Sequence, residues 1–147
     1  MIGLRPFTAH DAENIQQNQY PDVPISDIRE MIAEWETHIY QGKHFEMYAI
    51  TADDVVVGSV SLYENTKSIV SVGVEVYPCE RRKGYASEAM KLTMNRAKAL
   101  GYRVILNQVR TDNEPSIALH KRLGFETDGT IYRNAKGNDV FLYLFYL

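Results

Sequence analysis

Three consecutive cations, Arg81-Arg82-Lys83, stand directly before Gly84-Tyr85-Ala86. An apolar, β-branched run (Ile69 to Tyr77) precedes them, and a helix-patterned run (Ala86 to Leu100) follows. The positive end of a helix dipole repels Lys and Arg. Their placement makes sense if an anion lies among them. A phosphate there would meet free backbone N–H groups, the dipole and the side-chain charges together. Gly84 and the small Ala86 would let the backbone approach it closely. The hexapeptide reads equally as a tight strand-to-helix turn with solvated basic residues.

A second group lies further on. Asn113, Ser116, Ala118, Leu119 and His120 precede Leu123-Gly124-Phe125. Histidine exchanges protons near neutral pH, at about 6.5 when unperturbed. Glu75 shares a strand face with Ser71 and Gly73 by period 2, and is a candidate base or a solvated strand glutamate. Cys79 reads as structural. His10, His38 and His44 show no metal-ligand spacing with Cys79 or with an acidic cluster, and no metal is expected.

These residues must be held by the elements around them. Ile2 to Arg5 reads as a short strand and Thr8 to Gln19 as a weak helix capped by Thr8. Tyr20-Pro21-Asp22-Val23-Pro24 breaks it. Ser26 reads as the cap of the next helix, with Ile28, Met31, Ile32, Trp35 and Ile39 at helical spacing through Tyr40. Phe45 to Thr51, Val55 to Tyr63 and Ile69 to Tyr77 read as an antiparallel meander. Two β–α units follow: the cationic turn with its helix, then a strand Val104 to Val109 with a helix from Asn113 to Gly124. Phe125 to Tyr132 and Asp139 to Leu147 read as the last strands. The order β-α-α-β-β-β-α-β-α-β-β is an α+β layout, a mixed sheet with helices on its faces.

The 147 residues, 45% hydrophobic and 24% charged, fit one globular domain spanning 1–147. The net charge of −3 argues against a nucleic-acid binder and suits a local anion site better. A single cysteine excludes an internal disulfide and fits a reducing compartment. The N-terminus lacks a signal-peptide layout, and no apolar run is long enough to span a bilayer. A soluble, cytoplasmic protein without membrane partners is expected.

Taken together, Val76-Tyr77-Pro78, the hexapeptide Arg81 to Ala86 and the Asn113-x-x-Ser116-x-x-Leu119-His120…Leu123-Gly124-Phe125 run resemble the GNAT superfamily of acyl-CoA-dependent N-acetyltransferases. The hexapeptide resembles the family's pyrophosphate loop, and the second run its second cofactor-binding helix and the strand after it. The resemblance covers essentially the whole chain. It is nearest in pattern to small-molecule (phosphinothricin-type) acetyltransferases, with ribosomal-protein acetyltransferases a near second. It implies a mostly antiparallel seven-stranded sheet flanked by about four helices, and acetyl-CoA as cosubstrate.

The resemblance also implies roles. Backbone groups of Arg81, Arg82, Lys83, Gly84, Tyr85 and Ala86 would bind the pyrophosphate, and the three cationic side chains would help hold the 3′-phosphate. The pantetheine arm would lie between two splayed strands and pair with Val74 and Val76. The Val76 N–H would polarise the thioester, and Asn113 and Ser116 would contact the cofactor. The acceptor would be a primary amine of a small molecule or peptide, attacking directly. His120 stands where many relatives have tyrosine as acid for the leaving thiolate, and it would protonate the thiolate or merely pack. Ser71 stands where a glutamate is common, which makes Glu75 the substitute base. Tyr20 and Tyr132 would line the acceptor site, and a homodimer is implied. The missing glutamate and tyrosine keep open a CoA-binding sensor or interaction module, and the basic loop alone a nucleotide or phosphate binder.

Overall fold

A computed structural model describes residues 1–147. Its elements are β1 (Ile2–Pro6), α1 (Ala12–Asn18), α2 (Ile25–Trp35), β2 (Ile39–Tyr40), β3 (Lys43–Ala52), β4 (Val55–Glu64), β5 (Ile69–Val76), α3 (Tyr85–Ala99), β6 (Val104–Arg110), α4 (Glu114–Arg122), β7 (Tyr132–Arg133) and β8 (Asp139–Tyr146). The strands order as β1-β3-β4-β5-β6-β8-β7, with β2 paired to β3. All pairs are antiparallel except β5 with β6. This is the expected α+β architecture with eight strands in place of seven and four α-helices. No helix is long and apolar enough to cross a membrane.

Period 2 divides each strand between two cores. On one face, Ile15, Ile28 and Ile32 of α1 and α2 pack with Phe7, Ala49 and Val56. On the other, Met90, Met94 and Ala97 of α3 pack with Leu62, Val70, Val72 and Ile105. Val70 and Val72 are buried toward α3, so Ser71, Gly73 and Glu75 face the opposite side.

Three sequence expectations need correction. The second helix ends at Trp35, and Ile39 and Tyr40 form β2, a hairpin with Lys43 and His44. His38, Gln41 and Gly42 take positive φ, which no helix contains, and Tyr40 packs on Phe45 and Tyr63 instead. Pro24, not Ser26, is the N-cap of α2: its ψ of 145° is still extended, its ring holds φ at the helix-compatible −58°, and its carbonyl accepts the first N–H groups of the helix, those of Asp27 and Ile28. The strand expected over Phe125 to Tyr132 reduces to one bridge, Glu126 with Leu144, and to β7. Between them Asp128 Oδ1 accepts the Thr130 N–H and Gly129 takes a positive φ, which turns the chain.

Candidate active site

β5 and β6 pair at only two positions, Ile69 with Val104 and Val70 with Ile105. A parallel ladder in that register would next give the Val72 N–H to the Leu106 carbonyl. That rung is split between two side chains. Ser71 Oγ donates to the Leu106 carbonyl at 2.5 Å, and the Val72 N–H donates to Asn107 Oδ1 at 3.0 Å. Past this point the strands separate. The Tyr77 N–H points to Val57 of β4, so alternation turns the amides of Val74 and Val76 toward the opening.

A bulge on β4 supports the same place from behind. The pairing shifts between Ile50–Gly58 and Thr51–Val56, leaving Val57 as the extra residue. Gly58 then sits against the end of β5 so closely that a Cβ would lie 2.1 Å from the Glu75 carbonyl oxygen and 2.9 Å from Val76 Cα.

The chain leaves β5 through Pro78 and reaches α3 by the cationic turn. From Arg81 through Ser87 no backbone N–H meets an acceptor within the protein. Gly84 caps α3 at φ 80°, and a Cβ there would touch nothing, so glycine serves the backbone conformation and not packing. The three cations are not equivalent. Arg81 Nε donates to the Val76 carbonyl at 3.0 Å and its Nη2 pairs with Glu75 at 3.1 Å. Lys83 pairs with Glu80 at 2.8 Å. Arg82, itself at φ 67°, makes no ion pair or side-chain hydrogen bond within the chain.

α4 forms the other wall. Asn113 caps it, Oδ1 accepting the Ser116 N–H at 3.2 Å. His120 is 5% exposed and set between Phe125 and Tyr143. Its Nδ1 lies 2.7 Å from the Ser116 carbonyl and its Nε2 3.0 Å from Asn107 Nδ2. A carbonyl only accepts, so Nδ1 carries the proton and Nε2 accepts from the Asn107 amide. That orientation is the one that leaves Asn107 Oδ1 for Val72. Burial lowers the imidazole pKa, partly opposed by the bond to Ser116. The residue expected to protonate a leaving thiolate is therefore a buried neutral ring with both nitrogens engaged.

The fork, the turn and α4 enclose one groove of about 1050 Å³. Val74, Glu75, Val76, Arg81, Arg82, Gly84, Tyr85, Ala86, Asn113 and Ser116 all line it; Lys83 and His120 do not. Cys79 is exposed and outside the groove, as are Tyr20 and Tyr132. Pro115, Leu119 and Arg122 also line it; Pro115 and Arg122 were absent from the sequence expectations, and Leu119 entered them only as part of the second run. Their spacing of four and three along α4 marks one helical face with Ser116 and could have found them. A depression of about 500 Å³ between α3 and the end of β8 shares Arg122 but none of the expected site residues.

The family described as the acetyltransferase (GNAT) domain matches residues 2–126. A methionine sulfoximine/methionine sulfone acetyltransferase of Pseudomonas aeruginosa is 29% identical over 112 residues, 74% of this chain and 64% of that protein. An uncharacterized prophage-derived N-acetyltransferase, YokL, of Bacillus subtilis is 27% identical over 101 residues, 67% of this chain and 57% of that protein. The chain thus spans less than two thirds of the length of these relatives. In fold it resembles RimL, a ribosomal L7/L12 α-N-protein acetyltransferase solved with coenzyme A, at TM-score 0.85 and 18% identity, covering 99% of this chain and 94% of the other. It also resembles a spermidine N-acetyltransferase from Vibrio cholerae solved with CoA and spermine, at TM-score 0.79 and 17% identity, covering 99% and 95%. The family match runs from β1 past the end of α4 and takes in every wall of the groove: the chain belongs to the GNAT acetyltransferase family.

Proposed function

We propose that the protein is an N-acetyltransferase that moves an acetyl group from acetyl-CoA to a primary amine of a small molecule or peptide. One observation carries this reading. A single groove runs from the opened strand edge at Val74 and Val76 to the unpaired amides of Arg81 to Ser87. The first end suits an extended amide-bearing arm, and the second suits a pyrophosphate. Arg82 and Arg122 line the same groove as cations for the remaining phosphate.

The amine nitrogen would attack the thioester carbon, the C–N bond forming as the C–S bond breaks. CoA would leave as a thiolate that takes, through water, the proton the acylated nitrogen sheds, since His120 does not line the groove. The Val76 N–H polarises the thioester carbonyl as a fixed donor. An alkyl ammonium titrates at about 10, so the amine must lose a proton before it attacks. Glu75, about half exposed at the fork and paired with Arg81, takes that proton directly or through water. The named activity of the P. aeruginosa relative supports a small-molecule amine. Exposed Ile131, Tyr132 and Tyr146 in the C-terminal region support a homodimer, and the lone cysteine supports a cytoplasmic location. The net charge of −3 offers no basic field for nucleic acid.

Calorimetric titration with acetyl-CoA, run beside Gly84→Asp, tests the cosubstrate. Wild type should bind and the variant should not. Thiol release is then followed with methionine sulfone, methionine sulfoximine, spermidine and a short unblocked peptide. Release with at least one amine is expected. Binding without release from any of them would favour the second reading, a CoA-binding interaction module. The sealed His120 and the serine at position 71 favour that reading.

A further inference from the structure

The split rung between β5 and β6 has an internal chain of command. Asn107 and Ser71 each occupy one half of it, Asn107 on the Val72 N–H and Ser71 on the Leu106 carbonyl. Ser71 Oγ is in turn held by Asn65 Nδ2 at 2.9 Å. Asn107 is 5% exposed, and the Val72 N–H asks for its oxygen. His120 secures the same orientation from the other side. With Nδ1–H committed to the Ser116 carbonyl, Nε2 can only accept, and Asn107 must present Nδ2 to it and Oδ1 to Val72.

We infer that Asn107 and Ser71 are positioning residues that hold the β5–β6 fork open, and that His120 acts through Asn107 as the orienter of this wedge and not as an acid. The proposal rests on the reading of the groove as a CoA site. Without the wedge, Val72 N–H and Leu106 C=O are left only each other. Buried backbone groups do not stay unpaired, so the ladder advances by a rung. The next rung claims the amide of Val74, which the pantetheine arm needs.

Amide hydrogen exchange on the ligand-free protein tests the wedge itself. The Val74 amide should exchange fast in wild type and become protected in the Ser71→Ala/Asn107→Ala double variant. An unchanged Val74 rate in the folded variant would overturn the inference. Titrations with CoA and with adenosine 3′,5′-bisphosphate test its consequence, since the second ligand reaches the turn and not the fork. In the double variant and in His120→Phe, CoA should bind about tenfold more weakly, the worth of one well-placed hydrogen bond. The bisphosphate should bind as in wild type, and His120→Gln, whose amide oxygen can accept from Asn107, should restore CoA affinity. Equal weakening of both ligands in folded protein would reduce these residues to general stabilisers and overturn the proposal. Failure of wild type to bind either ligand would remove the CoA reading alone, and the exchange result would still decide the wedge.

Discussion

Arg96 on α3 lies along the buried carboxylate of Glu46 on β3, with Nε to Oε1 at 3.0 Å and Nη2 to Oε2 at 2.9 Å. Glu46 is 2% exposed, and His44 Nε2 adds a contact at 3.1 Å. The pair clamps the C-terminal half of α3 to the sheet while its N-terminus faces the groove. Arg96→Met should leave a buried carboxylate without its main partner. The expected cost is about 2 kcal/mol, below the usual figure for a buried pair because Arg96 is nearly half exposed. Urea denaturation measures it.

The same pair sets part of the acid limb. Burial alone would raise the Glu46 pKa, but the hydrogen bonds from Arg96, Tyr48 and His44 outweigh it and the net shift is downward. A carboxylate with a depressed folded pKa contributes stability above its unfolded value, near 4.5, and loses it as pH falls through the folded value. Glu46→Gln should be less stable than wild type at pH 7, and the difference should shrink steadily below about pH 4.5. A constant difference from pH 7 to pH 3 would refute the linkage.

His120 makes a separate contribution at higher pH. Its folded pKa lies below the unfolded value of 6.5, chiefly through burial. The unfolded chain therefore takes up the proton first, and stability falls as pH drops below about 6.5 toward the folded value. No carboxylate faces the ring: its neighbours are Asn107, Ser116, Phe125 and the phenol of Tyr143. Chemical denaturation of His120→Gln between pH 7.5 and 5 should show a flatter profile than wild type.

Arg82 and Lys83 should separate binding from stability. Arg82→Gly relieves a left-handed arginine and should raise stability by about 1 kcal/mol, a shift of roughly 2–4 °C for a domain this size. The same change removes an unpaired cation from the groove, and acetyl-CoA affinity should fall about fivefold, more at low salt. Lys83, already paired with Glu80, should tolerate alanine with little change in either quantity.

Gly58→Ala places a methyl group inside van der Waals contact of the β5 backbone. Atoms of a strand cannot rotate aside as a side chain can, so β5 must shift. A loss of about 1–3 kcal/mol is expected, typical of overpacking. Because the displaced residues are Glu75 and Val76, KM for acetyl-CoA should rise even in the fraction that remains folded. Steady-state kinetics at a temperature well below the midpoint reads this directly.

The two ends of the groove were unequal in what their residues disclosed. The cationic turn and the Asn113–His120 run were legible because their chemistry is local, with charges, a glycine and a cap at fixed offsets. The wedge was not. Ser71 and Asn107 are far apart in the chain, and an asparagine in a strand has no periodic signature of its own. His120 looked like an available acid for the same reason: what seals it, Asn107 and Tyr143, comes from other strands. The false extension of α2 has a physical source too. Ile39 falls four residues after Trp35 and continues the stripe, but the hairpin to β3 outweighs it once Tyr40 finds Phe45 and Tyr63.

Only two backbone rungs and the two side-chain bonds of the wedge join β5 to β6, so the sheet is two plates on a short hinge. One plate holds β1 to β5 and the other β6 to β8. A cosubstrate bonded along β5 and resting on α4 spans the hinge line and acts as a removable brace. Loading the groove should therefore do more than raise the midpoint of unfolding. It should make the two plates yield together, so that a transition broadened in the free protein sharpens when the brace is in place.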